Sequence, residues 1–200
     1  MKIIVVGGTG KIGQAVVKEL IQRHTIIVAA HQHGDIKVDI TDVASIEKMY
    51  QSAGKFDAVV SAAGKVHFGE FADMKPDDYL IGLKDKLMGQ VNLVLIGQRF
   101  INDNGSFTLT SGILSGDPIR TGASASMVNS AIDGFVRGAA IELPKNIRIN
   151  AVSPTVVLES MDAFAAYFRG YEPVPAARAA MAYSKSVEGH QTGQIYSAGY

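Results

Sequence analysis

Cysteine is absent from the 200 residues. That excludes disulfides, thiolate metal sites and a cysteine nucleophile, and it suits a reducing compartment. Tryptophan is missing too, and no tyrosine occurs between Tyr79 and Tyr167. No excess of charge exists: 19 bases face 19 acids, with no long run of either sign. Neither a basic groove for nucleic acid nor a polybasic membrane anchor is therefore expected. No apolar run approaches the roughly 20 residues that span a bilayer. The opening "MKIIVV" is too short for a signal peptide and runs straight into a glycine loop, so the expected location is cytoplasmic. The length and an apolar content of 47% fit one globular domain over residues 1–200.

What is present alternates. Runs rich in β-branched residues at 2–6, 25–30, 57–63, 106–111, 147–153 and 193–198 read as strands, with a short seventh at 36–38. Helical spacing fills 11–22, where Ile12, Ala15, Val16, Leu20 and Ile21 share one face, and continues at 42–53, 76–101 and 123–143. Buried strands joined by helices predict a parallel sheet covered on both faces. Residues 155–190 carry no strand pattern and are richer in aromatics, which suggests a substrate-covering elaboration over one end of the sheet.

"VVGGTGKIGQAVVKEL" sets Gly7, Gly10 and Gly13 between the first strand and the first helix. Glycines permit the tight turn and bring backbone N–H groups close to a pyrophosphate, which the helix N-terminus also attracts. A ribose 2′-hydroxyl is usually held by an acid at the end of the second strand. Here His31 stands there, and with Lys11 it suits a 2′-phosphate, so NADP is preferred to NAD. Asp35 folding back would reverse that preference. His31 and His33 could alternatively begin a metal site, but no third ligand is evident and no metal is expected.

These residues resemble the short-chain dehydrogenase/reductases along nearly the whole chain. "VDITD" (38–42) is similar to the family's Asp-x-Thr-Asp, and "SAAG" (61–64) to its Asn-Ala-Gly turn, with Ser61 for Asn. "GSFTLTSG" (105–112) puts Ser111 at the catalytic serine. "IRINAVSPT" (147–155) matches the sixth strand and cofactor loop, with Thr155 for a usual Gly, and "QTGQIYSAGY" (191–200) the closing strand. The resemblance implies a three-layer, doubly wound α/β Rossmann fold with a seven-stranded parallel sheet. It also implies hydride transfer between NADP(H) and a small carbonyl or alcohol. Implied cofactor contacts are Gly7, Thr9, Gly10, Lys11, Ile12 and Gly13 in the loop, then His31, Asp39 and Ile40, then Ala62, Ala63 and Gly64, and finally Pro154 and Val156.

The family's Tyr-x-x-x-Lys pair is missing. Aligning "NSAIDGFVRGAAIEL" (129–143) puts Asn129 at the lysine and Ala125 at the tyrosine. Where the preceding helix usually carries Asn, this chain has Lys86. An ammonium there would enter the space beside Asn129 and replace the lost lysine, as a ribose ligand or as the acid; the alternative is a solvated helix lysine. An ordinary lysine pKa of about 10.4 is close to tyrosine's, and desolvation lowers it. Ser111 and Lys86 are thus the candidate catalytic residues. A catalytically impaired NADP(H)-binding sensor is the competing function.

Ala131, Gly134, Gly138 and Ala139 leave room for a close neighbour, and family members pair through this helix, so a homodimer or homotetramer is expected; packing within the chain is the alternative. Met161, Phe164, Tyr167, Phe168 and Tyr171 suit either an apolar substrate wall or ordinary core. Tyr167 or Tyr171 could also reach the site as a substitute acid.

Overall fold

In β1 (Lys2–Val6), Ile3 and Val5 pack on one side of the sheet and Ile4 and Val6 on the other, as the two-residue period of a strand requires. All four are buried. Both faces must therefore be covered, and in this computed structural model, which describes residues 1–200, they are.

The other strands are β2 (Thr25–Ala30), β3 (Ile36–Lys37), β4 (Phe56–Ser61), β5 (Ile101–Thr110), β6 (Arg148–Pro154) and β7 (Ile195–Ala198). They form one sheet in the order β3-β2-β1-β4-β5-β6-β7, every pair parallel. The order reverses at β1, which lies between β2 and β4. This is a seven-stranded, doubly wound Rossmann-type sheet.

One face is covered by α2 (Val43–Ala53), α4 (Met88–Gly97) and α5 (Ala123–Ala139), which bury Ile46, Leu93 and Ile132 among others against it. Asp42 starts α2 by accepting from the Ala44 N–H, the usual role of a capping carboxylate. The other face carries α1 (Lys11–Leu20) and α7 (Ala176–Glu188). Burying each Val, Leu or Ile on these faces contributes about 1.5–3 kcal/mol.

Two expectations change. Residues 155–190 are not one covering segment: Ala179, Ala180, Tyr183 and Val187 of α7 are buried in the layer it shares with α1. Only the part with the short α6 (Met161–Phe164) lies over the sheet end. The helical stretch 76–101 also changes, because α3 (Pro76–Gly82) passes into a π-helical turn at Leu83–Leu87 before α4 begins, a turn follows α4 at 98–100, and Ile101 already opens β5. The Met88 N–H reaches back five residues to the Leu83 carbonyl, which widens the turn.

Candidate active site

The crevice at the strand reversal holds a cavity of about 500 Å³ lined by Gly7, Thr9, Gly10, His31, Asp39, Ile40, Ala62, Ala63 and Gly64. Gly7 has φ +78°, a left-handed conformation, and a Cβ on it would meet the Ala62 carbonyl oxygen at 2.7 Å. A Cβ on Gly13 would lie 2.0 Å from the Gly7 carbonyl oxygen. The loop therefore folds directly onto the first turn of α1. No side chain caps α1 at Gly10, so its first N–H groups remain available to an anion. Glycine cradle, uncapped helix and cleft together fit a dinucleotide. Gly13 does not line the cavity; it supports the loop from behind. Lys11 is exposed and lies outside the cavity lining.

At the far end His31 lines the cavity, whereas Asp35 is turned to β2, accepting from the Val28 N–H at 2.8 Å. Asp39 accepts from the Thr41 hydroxyl at 2.7 Å and the Thr41 N–H at 2.9 Å. The Thr41 hydroxyl and then its N–H hold the Asp39 carboxyl below the usual carboxylate range. No group of three His, Cys, Asp or Glu side chains could hold a metal ion. No helix is long and apolar enough to cross a membrane.

A second cavity of about 270 Å³ shares Ala62, Ala63 and Gly64 with the first. Ile12, Pro154 and Val156 line this one. So do Lys86, Ser111 and Asn129. The Lys86 Nζ donates to the Asn129 Oδ1 at 2.7 Å and to the Ser111 carbonyl oxygen at 2.8 Å. An ammonium has three donors, so one remains for whatever enters. The π-turn sets the direction of this side chain, and Gly64 (φ +131°) makes room for it: a Cβ there would come within 2.6 Å of the Lys86 Cγ. Burial pushes the Lys86 amine down to about 8, and the charge of Asp133 pulls partly against that shift.

Ser111 is held by its backbone. Its N–H donates to the Val152 carbonyl, and Gln90 clamps the preceding Thr110 by bonding both its N–H (2.8 Å) and its carbonyl (2.9 Å). The Ser111 hydroxyl itself is shut off from solvent and has no hydrogen-bond partner. Such a group is costly unless something supplies the missing bond. Ala125 is 2% exposed, closed into an apolar cluster with Ile113, Leu114, Val156 and Phe168. The tyrosine position thus carries no proton donor.

The rest of the cavity is largely apolar, with Thr110, Thr155 and Ser160 as polar members of its lining. Phe68, Phe164 and Phe168 form its aromatic side, linked edge to face at 5.8 and 6.3 Å between centroids. Met161 and Tyr171 pack behind this cluster. Neither tyrosine serves as the acid: Tyr167 and Tyr171 lie outside the lining, and the Tyr171 hydroxyl donates to the carbonyls of Asp117 and Pro118. Phe68 had no signal in the sequence, since residues 65–70 have neither helical nor alternating spacing.

Residues 4–191 match the family model described as enoyl-(acyl carrier protein) reductase. The chain is a short-chain dehydrogenase/reductase. This dehydrogenase/reductase is similar to versicolorin reductase 1 of Dothistroma septosporum, 30% identical over 200 residues, 86% of this chain and 74% of that one. Its fold is similar to the crystal structure of protein lin1944 from Listeria innocua, with 48% identity, a TM-score of 0.97 and 98% of each chain covered. A small-chain dehydrogenase crystallised in complex with NADPH is 26% identical, with a TM-score of 0.88 over 99% of this chain and 96% of that one. Relatives of this dehydrogenase/reductase thus include named reductases, which supports an oxidoreductase of small molecules.

Proposed function

We propose that this protein transfers hydride between NADP(H) and a small apolar carbonyl or alcohol, with Lys86 serving where the family uses the lysine of its Tyr-x-x-x-Lys pair. The observation that carries the reading is the Lys86 ammonium, 2.7 Å from Asn129 and 2.8 Å from the Ser111 carbonyl, in a cavity continuous with the nucleotide cleft. The two residue types have exchanged helices: lysine comes from the π-turn and asparagine from α5.

The glycine loop and the α1 N-terminus would hold the pyrophosphate, Asp39 and Ile40 the adenine end, and Pro154 and Val156 the other end. The bound nicotinamide supplies or accepts the hydride. Lys86 orients the site with its free N–H and gives its proton to the alkoxide oxygen formed on reduction. Ser111 polarises the carbonyl once a substrate oxygen offers its hydroxyl a partner. The phenylalanine side favours a flat, apolar substrate. His31 at the end of β2 and the engagement of Asp35 elsewhere favour a 2′-phosphate over a free 2′-hydroxyl.

The test is NADPH oxidation across apolar aldehydes, ketones and quinones at varied pH. Reduction should fall as pH rises through about 8, where the Lys86 amine loses its proton. Stability moves the other way. The amine binds its proton less tightly in the folded chain than at its ordinary 10.5, so between these values the unfolded state holds more protons and stability rises with pH. Flat rates through this window would defeat the role given to Lys86. A second reading, a binding protein that holds NADP(H) without turnover, is favoured by the sealed Ala125 and the shielded Ser111 hydroxyl. It predicts an NADPH-induced rise in melting temperature with no oxidation of any compound.

The outer face of α4 and α5 supports pairing of two copies. Val94, Leu95, Phe135 and Leu143 line a shallow groove there, Leu95 is half exposed, and Gly134 and Gly138 have nothing within 4 Å of a built Cβ. Sedimentation should give at least a dimer, and Gly138→Arg should give monomers; a wild-type monomer at micromolar concentration rejects the pairing.

A further inference from the structure

On α5, Asp133 follows Asn129 by four residues, so the two side chains occupy one face on successive turns. Asp133 is only 6% exposed, and its Oδ1 is buried without a hydrogen-bond partner. A carboxylate in that condition is costly unless another charge compensates it. The compensating charge is close. Asn129 holds the Lys86 Nζ at 2.7 Å, which puts an ammonium within about one helical turn of Asp133.

Other charges around Lys86 are placed less well to serve. Asp85, beside it in the π-turn, is occupied in accepting from the Lys65 N–H at 2.9 Å. Lys84 on the same turn and Arg137, a turn beyond Asp133 on α5, are exposed. Lys65 lines the nucleotide cavity. Beyond the ends of β5 and β4, the Ser111 carbonyl and Gly64 face Lys86, and the cavity lining it shares holds no other charged side chain. Asp133 is the buried acid on its side.

We infer that Asp133 is a positioning residue, the counter-charge that keeps the Lys86 ammonium protonated and directed into the cavity through Asn129. The amide is the spacer in this arrangement. It accepts from the ammonium directly and keeps the carboxylate one turn away, so the pair attracts without closing into a salt bridge. The chain thus offsets the burial of a cation while leaving its third N–H free. This rests on the role proposed for Lys86, but it concerns a charge interaction that is measured without turnover.

The experiment is an NMR titration of protein labelled with ¹³C at the lysine ε-carbon, the Lys86 signal being assigned by its loss in Lys86→Met. In Asp133→Asn the Lys86 midpoint should fall by about one pH unit or more, the size expected for removal of a unit charge a helical turn away. Asp133→Glu, which retains the charge, should keep the midpoint close to wild type. If the Asn variant does not fold, Asp133→Ser removes the same charge with less bulk. A midpoint unchanged in a folded neutral variant overturns the inference, and a purely structural role would lower the melting temperature while leaving the midpoint alone. A midpoint that moves while NADPH oxidation shows no matching pH shift upholds the pairing and rejects Lys86 as proton donor.

Discussion

Lys86→Met should reduce NADPH-dependent turnover by about 10²–10⁴-fold, the usual contribution of a positioned proton donor. Methionine matches the lysine side chain as far as Cε and keeps its contact with Gly64 while deleting the charge. Two opposing terms decide whether the fold survives. Loss of the ammonium leaves the Asn129 Oδ1 and the Ser111 carbonyl without this donor, at about 1–3 kcal/mol for each acceptor left unsatisfied. It also removes the cost of burying a cation, which is what depresses the amine to about 8. These effects partly cancel, so the melting temperature should stay near wild type while turnover collapses. Lys86→Arg should not rescue, because a planar guanidinium is bulkier than an ammonium and does not release its proton near neutral pH. Full activity in Lys86→Met, with an unaltered melting shift on adding NADPH, would remove Lys86 from the site.

Gly13→Ala should cost the most in stability. The new Cβ falls 2.0 Å from the Gly7 oxygen and 2.8 Å from both the Gly7 carbonyl carbon and the Gly8 Cα. All three are backbone atoms, so no side chain can turn aside. Either the loop must lift or α1 must slide, and Val16 and Leu20 anchor α1 in the core it shares with α7. Overpacking of this kind costs about 3 kcal/mol or more, or roughly 6–12 °C in melting temperature for a chain of this size. Gly10→Ala is the control. Gly10 has φ −78°, and a Cβ there meets nothing nearer than 3.4 Å, yet the residue lines the nucleotide cavity. It should leave the melting temperature intact and weaken NADPH about tenfold or more, a change of about 1.4 kcal/mol. Equal loss of stability in both variants would mean the loop is not shaped for a ligand.

Much of this was legible in the sequence because both faces of the sheet are buried. Runs such as "KIIVV" and "DAVVSAA" are nearly continuous in apolar residues instead of alternating, the pattern of a parallel strand covered on both faces when helical segments lie between the runs. The glycine loop and Ser111 were legible from their order along the chain. The alignment that removes Tyr and Lys from α5 also puts a lysine, Lys86, in the neighbouring helix, and its Nζ donates to the Asn129 Oδ1 at 2.7 Å. What escaped had weaker signals. Helix α7 is buried largely through small residues, Ala176, Ala179, Ala180, Ser184 and Ser186, with Tyr183 and Val187 completing the stripe. Small apolar residues mark a helix face faintly, and the nearby aromatics drew attention to the substrate side. Tyr183 buries its hydroxyl 2.6 Å from the Thr110 hydroxyl inside the core, a partner on a distant strand that no local spacing announces. Asp133 looked like one letter of a helix signature. Its meaning depends on which cation shares its interior, and that is a property of two helices together.

The π-turn at Leu83–Leu87 carries one more consequence. A turn closed over five residues instead of four holds an extra residue, and each residue turns a regular helix by about 100°. Deleting one residue there would restore an even helix and swing Lys86 away from Asn129, although every side chain of the site would still be present. Placement of the cation is therefore written in the number of residues between Pro76 and Gly97 as much as in their identity. Among related chains, a lysine matching Lys86 inherits its place only where that count is also kept.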